Sequence, residues 1–396
     1  MVIESQPTQS SVRPTNFWAW LPGLAGTLAV LLAIIINGSM ARAAAAQVWS
    51  PFVLVSGLLL VGLVADHDGL FVAAGRSLAR TTSSPITLFI AATVLITLVT
   101  AVLNLDTSVA FLTPVLIYTA RSRREAEAPL LYGALLLSNA ASLFLPGSNL
   151  TNLIVMHHLH LSGAAFLSDI WVPAASAVVI TALVLMAFHY RSLRIPAQLP
   201  VPTEPAQLIL GVGLGAVALT TVLVLTLRTP ALPVLVVGLV AVGIRVAGGR
   251  AQARHVTETL GPSVLIGLFG AAVALGTIGR VWSGPAVLLS HLDVWGTAGL
   301  AAGCSVLFNN LPSASLLAAH PPAHPFALLI GLNLGPNLCV TGSLAWVLWL
   351  RTARRADAQP NIWKASRIGL VAVPLSMAAA LGLLMVQGSS VAVGHF

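Results

Sequence analysis

Four short clusters of polar residues interrupt long apolar stretches of this chain. They read Asn104-Leu105-Asp106-Thr107-Ser108, Pro146-Gly147-Ser148-Asn149-Leu150-Thr151-Asn152, Asn309-Asn310-Leu311-Pro312-Ser313, and Asn333-Leu334-Gly335-Pro336-Asn337 followed by Thr341-Gly342-Ser343-Leu344. Gly and Pro break a helix, and a broken helix exposes N–H groups at one end and C=O groups at the other. With Asn, Ser and Thr side chains beside them, those ends can replace water around a polar solute or a cation. Asp106 is the one acidic residue placed deep in an apolar stretch. A carboxylate there is costly unless hydrated, paired or protonated, so it marks a candidate coupling residue for a proton or a sodium ion. Low dielectric favours the protonated form of a carboxyl group, which suits proton cycling. Asp is also a good N-cap, and Asp106 could cap a helix over 107–120. Gly, Ser and Thr are ordinary packing residues between membrane helices as well. The recurrence of the clusters at matched places is what favours a site.

The elements that must hold these clusters are membrane helices. Of 396 residues, 57% are hydrophobic and 8% charged, and the mean hydropathy is +0.93. A soluble domain carries about 25% charged residues. The apolar runs predict helices over 17–36, 48–65, 86–103, 107–120, 129–160, 170–190, 206–227, 231–247, 259–278, 297–308, 311–319, 325–350 and 366–387. Two pairs, 86–103 with 107–120 and 297–308 with 311–319, have separators of a few residues and read as re-entrant hairpins. Non-helical backbone at that depth is tolerated only where protein or a wet cavity satisfies it. With each hairpin entering and leaving on one side and the N-terminus in the cytoplasm, only Arg42, Arg228 and Arg280 of the 19 basic residues fall outside. That asymmetry is the positive-inside signal. It predicts a multi-pass protein of the inner (plasma) membrane with a cytoplasmic N-terminus and an external C-terminus. Asp66-His67-Asp68 then reads as an interfacial helix end.

Tip and break recur in the same order in each half, offset by roughly 200 residues, and run in opposite directions across the bilayer. The fold class is therefore an all-α polytopic membrane protein with inverted repeats, each carrying a re-entrant helical hairpin and a broken transmembrane helix. The reading assigns a polar tail to 1–16 and a first repeat to 17–195, with hairpin 86–120 and broken helix 129–160. A cytoplasmic linker covers 196–205, and the second repeat covers 206–396, with hairpin 297–319 and broken helix 325–350. The first repeat is one N-terminal crossing shorter than the second. The apolar run after the tail is long for a cleavable signal, so the tail reads as preceding a first span.

Several functions are disfavoured. Lys364 is the only lysine and follows no glycine-rich loop, so a P-loop ATPase within this chain is excluded. Two cysteines rule out a disulfide scaffold. The net charge of +8 is topological, and no nucleic-acid partner is expected. No nucleophile–base pair or His-Glu-x-x-His motif supports an enzyme. No cofactor and no metal site is expected, and the His157, His158 and His160 cluster lacks a carboxylate to complete a zinc site. Cys304 and Cys339 lie near the second tip and second break. They read as small buried hydrophobes, with a thiol contact to substrate as the other possibility.

The segments Phe308-Asn309-Asn310-Leu311-Pro312-Ser313, Leu332-Asn333-Leu334-Gly335-Pro336-Asn337 and Gly342-Ser343-Leu344-Ala345-Trp346 resemble signatures of the bacterial arsenite/antimonite efflux permeases. So do Asp106 to Val115 and Ser148 to Leu153, and the resemblance runs from about Val61 to Leu384. That family belongs to the ion transporter superfamily, with sodium/proton antiporters and sodium-coupled dicarboxylate carriers as relatives. The resemblance implies a scaffold domain and an elevator-like transport domain that holds both hairpins and both broken helices. It also implies a homodimer, a small inorganic substrate, a coupling proton or sodium ion, and in some systems a cytoplasmic ATPase subunit. The expected substrate- and ion-binding residues are Asn104, Asp106, Thr107, Ser108, Ser148, Asn149, Thr151, Asn309, Asn310, Asn333, Asn337, Thr341 and Ser343. Neutral amides and hydroxyls suit an uncharged trihydroxide such as arsenous acid. No Arg or Lys lies at mid-membrane to clamp a dicarboxylate. The chain departs from the family pattern at Asn333, where Asp is usual, at Leu105, where Asn is usual, and at Cys339-Val340-Thr341, where Thr-Pro-Ile is usual.

Overall fold

A computed structural model describes residues 20–157, 159, 161–195, 211–249 and 253–393. The tail 1–16, the linker 196–205, His158 and His160 lie outside the described residues. The described chain is helical, and five helices are long and apolar enough to cross a membrane. Exposed apolar side chains such as Val222, Val236 and Leu370 cover their outer faces, as a hydrocarbon solvent requires.

The scaffold begins with Leu21–His67, which is interrupted at Asn37 by extended backbone (φ −162°, ψ 101°). Asn37 Oδ1 accepts from the Met40 N–H (3.1 Å) and so starts the next helix. The chain reverses there. Gly23 and Gly26 meet Ser263 and Gly267 on the helix Pro262–Val281, and after the break Ala44 meets Gly276 while Phe52 packs on Phe269. The two expected spans are therefore present, but the second begins at residue 38 rather than 48. Its alanine-rich start is a strong helix former and buries Ala41, Ala44 and Gln47. A Cβ at Gly26 or Gly270 would strike the backbone of the other helix, so only glycine permits this approach.

Val212–Thr226 and Ala231–Ala247 complete the scaffold. Asp68 does end a helix, as the C-cap of Leu21–His67, but it is not exposed there. It is buried (3% exposed) in an ion pair with Arg245 (6%), and its Oδ2 accepts from the Gly213 N–H (2.8 Å). One carboxylate thus ties three scaffold helices together at one end.

The transport half holds the interrupted elements. The first hairpin is Pro85–Val102 and Leu105–Ser122; a capping box at Ser84 and Thr87, followed by Pro85, fixes its start. The first broken helix runs Ala128–Ala141, a tight turn Pro146–Ser148, then Leu150–Met156. The second hairpin is Val294–Phe308 and Asn310–Leu317. The second broken helix is Pro325–Leu334, a turn Gly335–Leu338, then Leu344–Arg355. Gly163–Phe188 and Ile362–Val393 pack on each other and close the two halves. Leu105–Ser122 packs on Leu344–Arg355, and Asn310–Leu317 packs on Leu150–Met156, so each hairpin leans on the other half's broken helix.

Four helices were not expected: Leu70–Thr81, Tyr190–Leu193, Ala253–Leu260 and Gly284–His291. The first and last stand directly before the two hairpins, one more correspondence between the halves. The first hairpin follows two long scaffold helices and the second follows three.

The arginine-rich loops meet at one end. Arg123 donates to the carbonyls of Ala79 (2.7 Å) and Thr82 (2.8 Å), and Arg121 to that of Ala356 (2.6 Å). Replacing Asp68 by Ala would leave the Arg245 guanidinium buried without its counter-charge. The expected cost is about 3–5 kcal/mol, read as a clearly lower melting temperature of the detergent-solubilised protein. An unchanged melting temperature would show that the pair contributes nothing net.

Candidate functional site

Both hairpin tips and both breaks converge on one small cavity of about 20 Å³. It is lined by Leu105 and Asp106 from the first tip, Asn309, Asn310 and Leu311 from the second, Asn149 and Leu150 from the first break, and Ser343 and Leu344 from the second, with Leu268 reaching in from the scaffold. Nine of these ten residues are the opening residues of helices. Asn149, Ser343 and Asn309 are N-caps, and the others lie in the first turns of Leu105–Ser122, Leu150–Met156, Asn310–Leu317 and Leu344–Arg355. Four helix N-termini therefore face one point. A cavity of this volume holds about one water molecule, so the structure is closed around its centre.

Each tip is held by its neighbouring break. At the first, Ser148 Oγ donates to the Ala101 carbonyl (3.1 Å) and accepts from the Leu145 N–H (3.1 Å). At the second, the Asn310 N–H donates to the Gly342 carbonyl (2.8 Å) and Thr341 Oγ1 to the Val306 carbonyl (2.6 Å). Asn309 sits at φ +74°, a left-handed conformation that Asn tolerates better than most residues, and its Nδ2 donates to the Thr341 carbonyl (3.3 Å). The helix after the first tip is capped by Asn104, whose Oδ1 accepts from the Thr107 N–H (2.7 Å). The cap expected of Asp106 is thus made by Asn104, and the helix starts at Leu105. Asp106 stands in the first turn, and its carboxylate enters no ion pair among the described residues.

The two breaks are stitched to each other. Asn333 Oδ1 accepts from Ser142 Oγ (2.5 Å) and Asn149 Nδ2 (2.8 Å), while its Nδ2 donates to Asn152 Oδ1 (2.8 Å) and the Leu329 carbonyl (2.8 Å). Asn337 Oδ1 accepts from Asn139 Nδ2 (3.0 Å) and its Nδ2 donates to the Leu136 carbonyl (3.0 Å). Asn333 and Asn337 were expected at the solute; both are instead buried and used up in joining the two broken helices.

Of the expected site residues, Asp106, Asn149, Asn309, Asn310 and Ser343 line the cavity. Asn104, Thr107, Ser108, Ser148, Thr151 and Thr341 are not among its lining residues. Ser108 Oγ pairs with Ser138 Oγ (3.1 Å), and the methyl of Thr107 fills the space left by Gly62 on the scaffold. Ser343 Oγ, Asn104 Nδ2, Thr107 Oγ1 and Thr151 Oγ1 are buried without a hydrogen-bond partner. Cys304 and Cys339 are free, half-buried thiols and neither lines the cavity. Asn139, Ser142 and Asn152 complete the stitch but were not counted as site residues. Gln47 was missed altogether: its Nε2 donates to the carbonyls of Ile154 (3.1 Å) and Ala318 (2.9 Å), and its Oε1 accepts from Arg280 (2.7 Å). A lone amide after an alanine run was the available signal.

These roles separate experimentally. Asn333→Ala removes four buried hydrogen bonds, at about 1–3 kcal/mol for each group left unpaired and not additively, and should lower the melting temperature strongly. Ser343→Ala removes a hydroxyl that bonds to nothing, and should leave the melting temperature within a degree or two of wild type. Equal melting temperatures for the two variants would overturn the assignment of Asn333 as the stitch.

Residues 17–349 match the family model CitMHS, described as a citrate transporter. The chain is 27% identical over 342 residues to the inner membrane protein YbiR of Escherichia coli (strain K12), covering 84% of this chain and 86% of that protein. It is 25% identical over 192 residues to the "Putative arsenical pump membrane protein" of Bacillus subtilis (strain 168), covering 48% of this chain and 43% of the relative. Among solved structures, the Alcanivorax borkumensis YdaH transporter, described as having an unusual topology, superposes with a TM-score of 0.56 at 14% identity. The match covers 94% of this chain and 99% of that one.

Proposed function

We infer the function from one premise: the chain belongs to the CitMHS citrate transporter family, and the family is one of membrane transporters for small solutes. Within it, we read this chain as a secondary exporter of trivalent metalloid hydroxides, arsenite or antimonite, in exchange for protons. The observation that carries the reading is the charge balance at the cavity. Each helix N-terminus presents roughly +0.5 of an elementary charge. Four of them supply at most about +2, and Asp106 supplies −1, with no Arg or Lys in the lining. Such a field suits a neutral, oxygen-rich solute or a monoanion. It is too weak for a trianion without added cations. The partial likeness to a protein named as an arsenical pump supports the same solute class.

A second reading keeps a specific observation. The family's description and the inward-facing helix starts both favour an anion, which makes a sodium-coupled small-anion carrier, or a sodium/proton antiporter, the alternative. Uptake into everted vesicles separates them, with trivalent arsenic, citrate or sodium offered in turn under an imposed pH gradient and without ATP. Arsenic accumulation driven by the pH gradient supports the exporter; citrate or sodium movement in its place overturns it. A requirement for ATP would point to a docked ATPase subunit. In the exporter, Asp106→Asn removes the titrating group, so gradient-driven flux should fall to background while membrane insertion stays normal. Full flux in that variant would sink the coupling role.

Transport by an elevator needs the hairpins to slide against the scaffold. A Cβ on Gly276 of Pro262–Val281 would lie 3.6 Å from the Ser315 Cβ of the second hairpin, within the usual range for a disulfide. In a background without Cys304 and Cys339, oxidised Gly276→Cys/Ser315→Cys should stop flux, and reduction should restore it. Undiminished flux in the cross-linked protein would overturn the sliding interface. The proposed orientation places the arginine-rich end in the cytoplasm, with a homodimer as the working assembly.

A further inference from the structure

A second polar cavity lies at the arginine-rich end, where Gly163–Phe188 stops and Ile362–Val393 begins. Its volume is about 400 Å³, and its polar lining is His189, Tyr190, Arg191, Ser192 and Lys364. Segments 187–195 and 361–367 contain four cations, Arg191, Arg194, Lys364 and Arg367, and no acidic residue. None of the four enters an ion pair among the described residues. Lys364 is the only lysine in the chain. It occupies the first turn of a long helix, whose N-terminal N–H groups add to the positive field.

The cavity is braced from within. His189 is 4% exposed, stacks on Tyr132 (centroids 5.7 Å apart, planes at 16°), and holds its Nδ1 against the Leu185 carbonyl (3.0 Å). The Lys364 ammonium lies 5.1 Å from the same Tyr132 ring. His189 Nε2 is buried and has no hydrogen-bond partner. With Nδ1 carrying the proton, Nε2 is an acceptor that needs a donor such as a hydroxyl. The surroundings are those of a membrane interface. Phe188 and Trp363 are 43% and 80% exposed, and the next turns of the two helices present Leu183 and Leu370 outward.

We propose that this cavity holds the phosphate of an anionic phospholipid headgroup against Arg191 and Lys364, with the acyl chains running down the exposed apolar faces of Gly163–Phe188 and Ile362–Val393. The cations supply charge-assisted bonds to the phosphate, and a glycerol hydroxyl supplies the donor that His189 Nε2 lacks. A free phosphate shares the first interaction but leaves the apolar faces unused. The site is distinct from the cavity between the hairpin tips, yet mechanically joined to it. Five residues after Lys364, Gly369 presses on the Asn337 carbonyl so closely that no side chain fits.

Native mass spectrometry of the full chain, released from detergent with phosphatidylglycerol or phosphatidylcholine, tests the proposal. Phosphatidylglycerol should stay bound and raise the melting temperature, and phosphatidylcholine should do neither. Two juxtamembrane charges together change affinity for anionic lipid by about 25-fold, so Arg191→Gln/Lys364→Gln should weaken phosphatidylglycerol binding by that order. Arg80→Gln, which removes an exposed charge from another helix, should not. Equal retention of both lipids overturns the proposal, as does an equal loss from Arg80→Gln. Stabilisation by inorganic phosphate equal to that by phosphatidylglycerol overturns the lipid source. If the double variant fails to fold, Lys364→Gln alone carries the comparison, with a loss of about fivefold expected.

Discussion

Interrupting two helices inside hydrocarbon strands backbone groups that water cannot reach; Asn152 Nδ2 takes up the carbonyls of Ser142 (2.7 Å) and Leu145 (3.0 Å), Trp346 Nε1 takes up that of Pro336 (2.7 Å), and the Asn333 side chain ties the two breaks to each other. Its amide has two donors and two acceptor lone pairs, and all four find partners on the two broken helices. Asn149 extends the same arrangement, since its Nδ2 reaches Asn333 while its side-chain oxygen accepts from the Thr151 N–H (3.3 Å). Without the stitch, the turn Pro146–Ser148 and the turn Gly335–Leu338 would have no fixed relation, and the four helix starts would not face one point. The position also explains the departure from Asp. A carboxylate accepts but does not donate, so it would set its oxygens against Asn152 Oδ1 and the Leu329 carbonyl.

The electrostatics follow from that geometry. Four N-termini turned inward make a positive field in low dielectric, where such partial charges act most strongly. Asp106 is the counterweight. It sits in the first turn of its helix, where the dipole favours a negative charge, and its carboxylate enters no ion pair among the described residues. The second tip carries Asn310 directly after its cap, where the first carries Leu105, and Leu311 where the first carries Asp106. The two halves are thus alike in backbone and unlike in chemistry, and the acidic residue at the cavity belongs to one half only.

Much of this was legible in the sequence, because the clusters that break helices are written in Gly, Pro and Asn, whose effects on backbone are local. Both tips and both breaks fall where those residues predict. What spacing does not reveal is which polar groups consume each other. Asn333 and Asn337 carry the strongest motif, yet they face Asn152, Asn149 and Asn139 from the other half. Asp68 looked like a surface residue because its partner, Arg245, lies far along the chain. Gln47 was hidden by a boundary placed one residue after it, where the helix in fact begins ten residues earlier, so that a buried amide was read as part of a loop. The cap is a similar case: Asn104 and Asp106 are both good caps, and only the helix start decides between them.

The distribution of hydrogen bonds also argues for which part moves. Inside the transport half, five side-chain bonds join the broken helices through Asn333 and Asn337, all buried. Across the boundary with the scaffold, contact is made largely through small residues, with Gly62 against Thr107, and Gly276 and Gly279 against the helix Asn310–Leu317. Gln47 supplies two polar bonds there, to the carbonyls of Ile154 and Ala318, at the end away from the arginine-rich loops. A hydrogen bond of this kind contributes about 1 kcal/mol net, so separating the two bodies at Gln47 costs a few RT. Dismantling the stitch would strand several buried amides at once. The boundary of smallest resistance therefore runs between scaffold and hairpins, which is where the proposed elevator movement would have to part them.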